Sequence, residues 1–116
     1  MSESHELYAS VNYIKNKVDA IEKIELLNLR SNKVLQEEYA ILLKSDPLLL
    51  SVYKAIDGVK SQSEITKELC SNNASVSRKV RDLEEYGLIE IKEIGRSGRK
   101  IHKHSIAEKA FALTKL

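Results

Sequence analysis

Residues 74–91, Ala-Ser-Val-Ser-Arg-Lys-Val-Arg-Asp-Leu-Glu-Glu-Tyr-Gly-Leu-Ile-Glu-Ile, constrain this chain more than any other stretch. Val76, Val80 and Leu83 recur at intervals of four and three, so a helix over about 73–86 buries one apolar stripe. Gly87 suits the left-handed turn that closes a helix. The alternation Ile89-Glu90-Ile91-Lys92 then reads as a strand with one buried face. With the three apolar residues pointing inward, steps of about 100° per residue turn Arg78 and Arg81 outward and leave Ser77 on the flank.

The strand leads to a basic tip, Gly95-Arg-Ser-Gly-Arg-Lys100, whose glycines permit a tight turn. Ile101 to Ile106 returns as a second strand, and residues 106–114 close the chain as a short helix with Ile106, Ala110 and Leu113 facing in. Charge follows the same division. Residues 1–58 hold seven Lys and Arg against nine Asp and Glu, whereas residues 59–116 hold twelve against eight. Arg96, Arg99, Lys100 and Lys103 fall in a span, 95–104, that has no acid. Positive charge gathered at one tip is the electrostatic footprint of a phosphate-binding surface.

Upstream the chain reads as helix. In residues 6–30, Leu7, Val11, Ile14, Val18 and Ile21 alternate by four and three, the spacing of a coiled-coil seam. The pattern then drifts, with Ile24 and Leu27 at threes and Glu25 at the next seam position. Arg30-Ser-Asn-Lys33 is a soft spot, since Ser and Asn favour caps and turns. A helix over about 33–44 carries Leu35, Tyr39, Leu42 and Leu43 on one side with Val34 and Ile41 beside them. The sequence leaves open whether 6–44 is one helix or two. Asp46 and Pro47 suit an N-cap and a first turn, so the next helix spans about 47–57, burying Leu49, Leu50, Val52, Tyr53 and Ile56, and Gly58 ends it. Ser61 and Glu64 fit a capping box for a helix over about 62–70 with Ile65 and Leu69 inward. Ser71-Asn72-Asn73 is the turn. Asn tolerates the left-handed conformation such a turn needs, and either Asn suits the next cap.

The fold class expected is mainly α with a small β-hairpin (α+β), in one folded domain, residues 47–116, preceded by a helical dimerisation or interaction segment, residues 1–46. A composition 42% hydrophobic and 31% charged belongs to globular proteins and argues against disorder. No apolar run approaches the about 20 residues that span a membrane. The first residues lack the pattern of a signal peptide and a single cysteine makes no internal disulfide, so a cytoplasmic setting is expected.

The string Ser75-Val-Ser-Arg-Lys-Val-Arg-Asp-Leu-Glu-Glu-Tyr-Gly-Leu-Ile89 resembles the recognition helix of winged helix-turn-helix regulators of the MarR and ArsR kind. Val76-Ser77-Arg78, Leu83-Glu84 and Gly87-Leu88-Ile89 stand in the order those families show. His104-Ser-Ile-Ala-Glu-Lys109 is similar to the segment after the wing in MarR-like proteins, with Ala110 where a Gly is usual. The resemblance covers about 47–113. It implies a homodimeric, sequence-specific regulator of double-stranded DNA, a repressor, that dimerises through its N-terminal helices. By that resemblance Leu7, Val11, Ile14, Val18 and Ile21 belong to the dimer seam. Helix 73–86 enters the major groove, where Arg78 makes a bidentate contact to guanine and Ser77 and Asn73 reach bases or phosphates. Arg81, Lys79 and Ser75 contact phosphates. The tip, with Arg96, Arg99 and Lys100, lies at the minor groove. No ArsR-type cysteine cluster is present, so metal regulation is not carried across.

Other readings are weaker. His102 and His104, two apart on a strand, share a face, but no Cys or carboxylate cluster accompanies them in sequence, so strand surface is expected rather than a metal site. Cys70 beside Leu69 reads as a buried structural thiol. Gly95-Arg-Ser-Gly98 lacks the Gly-Lys-Ser/Thr of a phosphate-cradling loop. No Ser, His and acid stand in a catalytic arrangement, so neither an enzyme nor a cofactor is expected. The alternative function is a winged-helix adaptor that binds a protein rather than DNA.

Overall fold

The computed structural model describes residues 19–95 and 97–116. Residues 19–31 are helical (α1) and α2 follows at Lys33–Ser45. The two are separate because Asn32 leaves the helical path and caps α2, its side chain accepting from the Leu35 amide at 3.1 Å. Leu43 is buried on α2, and Leu35, Tyr39 and Leu42 pack against the core, while Val34 and Ile41 are exposed. Of the seam expected between 7 and 21, Ile21 is exposed on α1; Leu7, Val11, Ile14 and Val18 lie outside the described residues.

Asp46 caps α3 (Pro47–Ala55) by accepting from the Leu49 amide, with Pro47 in the first turn. This helix stops earlier than the sequence suggests. Ile56 is already extended, and the Asp57 side chain takes the Val59 and Lys60 amides, both at 2.9 Å, so the chain turns before Gly58 is reached. The capping box of Ser61 and Glu64 opens α4 (Gln62–Glu68). The left-handed residue that ends α4 is Cys70, φ 51°, rather than either asparagine. Asn72 instead caps α5 (Asn73–Glu85), accepting from the Ser75 amide at 2.8 Å.

Val76, Val80 and Leu83 of α5 are buried, and α5 packs against α3 through them, Leu49, Val52 and Tyr53. Each such side chain contributes roughly 1.5–3 kcal/mol by leaving water. At the end of α5 the amides of Gly87 and Leu88 return to the carbonyls of Glu84 and Leu83, and Gly87 takes φ 75°. Tyr39 donates to the Tyr86 carbonyl at 2.8 Å, fixing α2 to this corner.

Strands β1 (Ile89–Ile94) and β2 (Lys100–His104) pair antiparallel, Ile89 opposite His104 and Ile91 opposite His102. The register shifts between Ile91 and Glu93. Because of that bulge and the hairpin's reach beyond the core, the expected buried alternation stops at Ile89. Ile91 is 42% and Ile94 64% exposed. Ser105 ends β2 early by capping α6 (Ile106–Phe111), which gives way at left-handed Ala112 to a 3₁₀ turn, Leu113–Lys115. The inward side chains here are Ala107, Phe111 and Leu113, with Ala110 packed against them and Ile106 only half-buried.

Among the described residues the chain is thus mainly helical with one two-stranded hairpin. No described helix is long and apolar enough to cross a membrane.

Candidate nucleic-acid interface

The buried stripe of α5 fixes what its outer side presents. Arg78 and Arg81 are exposed, as is Asn73 at the first position, and Ser75 and Ser77 are half-buried. Lys79 is different. It turns back under the helix and donates to Asp46 Oδ2 at 2.6 Å, so its charge is matched by the carboxylate that caps α3. Asp46 is held below the usual carboxylate range, chiefly by this hydrogen bond and against the opposing effect of burial, with help from the Leu49 amide.

The hairpin stands beside the starts of α4 and α5. An isolated antiparallel bridge joins Ser61, the cap of α4, to Ile101 of β2, and Ser61 is buried. One residue on, Gln62 donates its side-chain amide to Asn73 Oδ1 at 3.1 Å, and Thr66 adds a longer bond to the same oxygen. The Asn73 carbonyl is therefore used within the protein, and the amide NH₂ is what it offers outward.

Two adjoining depressions result. The first, ≈ 310 Å³, is lined by Ser61, Gln62, Ser63, Asn73, Gly98, Arg99 and Lys100, with no carboxylate. The second, ≈ 130 Å³, lies between α5 and β2 and is lined by Gln62, Ser77, Val80, Arg81, Glu84, Lys100 and His102. Gln62 and Lys100 belong to both, so a continuous groove runs between α5 and the hairpin. Among the described residues no carboxylate lies within ion-pairing distance of Arg78, Arg81, Arg99 or Lys100. Apart from Glu84, which lies against His102, the charged side chains of the groove are the cations Arg81, Arg99 and Lys100, and with the hydrogen-bond donors beside them they suit an anion with many oxygens.

Of the residues singled out by sequence, Asn73, Ser77, Arg81, Arg99 and Lys100 line this groove. Arg78 is exposed on α5 outside it, Ser75 lies at the start of the helix and Lys79 is engaged elsewhere. Arg96 lies outside the described residues. Gln62 and Ser63 were not singled out. Their signal was the capping box, which marks them as the first turn of α4; what brings them to the start of α5 is the hydrogen bond from Gln62 to Asn73, which has no local sequence signal.

Three expectations change. His102 is not strand surface; it is buried, 4% exposed, with Nε2 2.5 Å from Glu84 Oε1. His104 Nε2 meets the Tyr53 carbonyl at 2.7 Å and its ring lies tilted at 48° against that of Tyr53, so both histidines serve contacts within the protein. Cys70 is exposed rather than buried, because the left-handed turn after α4 points it outward. Among the described residues no three His, Cys, Asp or Glu side chains converge as metal ligands.

Comparison of the chain with protein-family models and with curated proteins gives no match.

Proposed function

We propose that this chain is a winged helix-turn-helix protein that binds double-stranded DNA. It acts in the cytoplasm as a homodimeric transcriptional regulator, a repressor, of the MarR and ArsR kind. The observation that carries the reading is the groove between α5 and the hairpin, where Arg81, Arg99, Lys100, Ser63 and the Asn73 amide converge beside exposed Arg78. Helix and hairpin are cationic together and adjacent, the arrangement a duplex needs to be held at two points.

In this account the N-terminal half of α5 enters the major groove. Arg78 reads guanine through a bidentate contact, and Ser77 lies beside it. Arg81 and Ser75 hold phosphates, as do Gln62 and Ser63 at the start of α4. The hairpin reaches the neighbouring minor groove with Arg99, and Lys100 bridges the strand between. Lys79 acts inside the protein, through Asp46. Two copies joined through their N-terminal helices read half-sites about one helical turn apart.

The exposed Ile24, Leu27, Val34 and Ile41 favour a protein-facing surface on α1 and α2. In the regulator it faces the second copy; in an adaptor without DNA binding it faces a different protein. Selection of bound sequences from a random duplex library tests the reading. Enrichment of a roughly palindromic motif supports it, and recovery of no duplex at low salt favours the adaptor.

A further inference from the structure

Asn73 does not stand in the groove as a free amide. Its Oδ1 accepts from Gln62 Nε2 at 3.1 Å, so the first turn of α4 holds the first residue of α5. Thr66 adds only the longer bond, 3.5 Å, because its hydroxyl sits nearer the Gln62 main-chain carbonyl, at 2.9 Å. Gln62 is therefore the partner that fixes the Asn73 amide. Two facing amides can pair either way round. Here Gln62 also lines depressions whose cations are Arg81, Arg99 and Lys100, and whose one carboxylate, Glu84, lies against His102. Positive charge on that side favours the Gln62 oxygen there and its Nε2 toward Asn73. Asn73 then offers the groove an NH₂ and no acceptor.

We infer that Asn73 is a specificity-determining residue that reads a keto base, guanine or thymine, through donors alone, and that Gln62 is the positioning residue that makes it donor-only. The inference rests on the DNA-binding reading and names what that site selects. Asn73 shares a face of α5 with Ser77 and Arg81, four and eight residues on, and all three line the groove. The opening residues of a helix in the major groove are those that meet base edges.

The preference follows from what each base shows in the major groove. Guanine presents the acceptors O6 and N7, and thymine the acceptor O4. Adenine sets the N6 donor beside the N7 acceptor, and cytosine presents the N4 donor. An asparagine with oxygen and NH₂ both free suits adenine, which takes one of each. With Oδ1 held by Gln62, that pairing is closed. Nδ2 finds an acceptor on guanine or thymine, whereas on cytosine or the N6 side of adenine it meets another NH₂. The mismatch leaves donors without partners inside the interface. The second N–H of Gln62 remains for a phosphate, so positioning Asn73 and holding the backbone are compatible.

The test is selection from a random duplex library by the full chain as wild type, Asn73→Ala, Gln62→Glu and Asn73→Asp. Asn73→Ala identifies the position, as the one whose base preference is lost. The wild type is expected to hold guanine or thymine there, bound about tenfold more tightly than the same site with adenine or cytosine. Gln62→Glu sets an acceptor opposite Asn73, so the Asn73 NH₂ turns inward and its oxygen outward. The preference is then expected to change to an amino base, adenine first, although residue 62 touches no base. Asn73→Asp presents an acceptor alone and is expected to select an amino base, cytosine first. The added negative charge weakens all sequences alike and by itself leaves the order of bases as it was. Circular dichroism checks that each variant is folded; if Gln62→Glu is not, Asn73→Asp decides by the same criterion. A wild-type motif in which Asn73→Ala relaxes no position, or relaxes an adenine or cytosine, overturns the inference alone, as does a keto base kept by either folded carboxylate variant. No enrichment of any duplex by the wild type overturns it together with the DNA-binding reading.

Discussion

Lys79 Nζ lies 2.6 Å from Asp46 Oδ2, so one carboxylate both caps α3 and holds α5. The two uses are separable. Asp46→Asn keeps a capping oxygen and loses the charge pair, at a cost of about 0.5 kcal/mol that added salt diminishes. Asp46→Ala loses the cap as well and costs about 1–2 kcal/mol. Since Lys79 and Leu49 hold the Asp46 carboxyl below its unfolded value, its contribution is complete above that value and disappears as pH falls through the folded one, below about pH 4. Urea denaturation of the three proteins at pH 7 and in acid measures both effects. Lys79→Ala, in the same experiment, lowers stability while leaving DNA affinity close to wild type.

Glu108 anchors the C-terminal turn to the core. It accepts from the Tyr53 hydroxyl and from the amide and hydroxyl of Thr114. Burial pushes its carboxyl up, but the bonds from Thr114 and Tyr53 outweigh that and keep it below the usual range. Burial and the Glu108 carboxylate in turn push the Tyr53 hydroxyl up, so Tyr53 remains a donor at every ordinary pH. Tyr53→Phe leaves Glu108 without one of its donors and costs about 1–3 kcal/mol at pH 7. The loss shrinks in acid, because the wild type then also loses the carboxylate. Thermal unfolding between pH 3.5 and 7 shows whether the two curves converge.

At Gly87 the backbone alone decides. Its φ is 75°, and an added Cβ would meet nothing within 4 Å. Gly87→Ala therefore costs about 1–2 kcal/mol from conformational strain without any clash. Gly87→Asn costs less, since Asn visits this region more readily. Equal losses in the two variants, measured by chemical denaturation, would contradict a purely backbone cause.

Much of this fold was legible in the chain because its determinants are local. Asp46 with Pro47, Ser61 with Glu64, Asn72 and Gly87 mark element ends within three or four residues of the groups they satisfy, and the stripe Val76, Val80, Leu83 orients α5 by itself. What was missed depends on partners far along the chain. Lys79 finds Asp46 across 33 residues and His102 finds Glu84 across 18, so neither engagement has a sequence period to announce it. The exposure of Ile91 and Ile94 reflects a bulge and a hairpin that outreaches the core. Alternation predicts a strand's two faces but not whether anything covers them. The outward arginines of α5 were legible; Gln62 and Ser63 join them through the bond of Gln62 to Asn73 and the bridge of Ser61 to Ile101, neither of which a local sequence pattern announces.

The exposed Ile21, Ile24 and Leu27 lie at intervals of three on α1. If they belong to an interface between two copies, Ile24→Lys together with Leu27→Lys halves the mass of the full chain in light scattering and leaves its helical content close to wild type. A wild-type monomer would contradict the dimer.

If the groove beside α5 holds duplex DNA, the salt dependence of binding shows it. Fluorescence anisotropy of a labelled duplex is measured from low to physiological salt for the wild type, for Arg78→Ala and for Arg99→Ala with Lys100→Ala. The wild type is predicted to bind with a steep negative slope of log affinity against log salt. The Arg99 and Lys100 double variant makes that slope shallower by about 0.9 for each phosphate it no longer neutralises and weakens binding to all sequences alike. Arg78→Ala weakens a selected duplex by about 1–3 kcal/mol and a random one far less. Absence of binding at low salt and micromolar protein, or a slope unchanged in the double variant, would contradict the account.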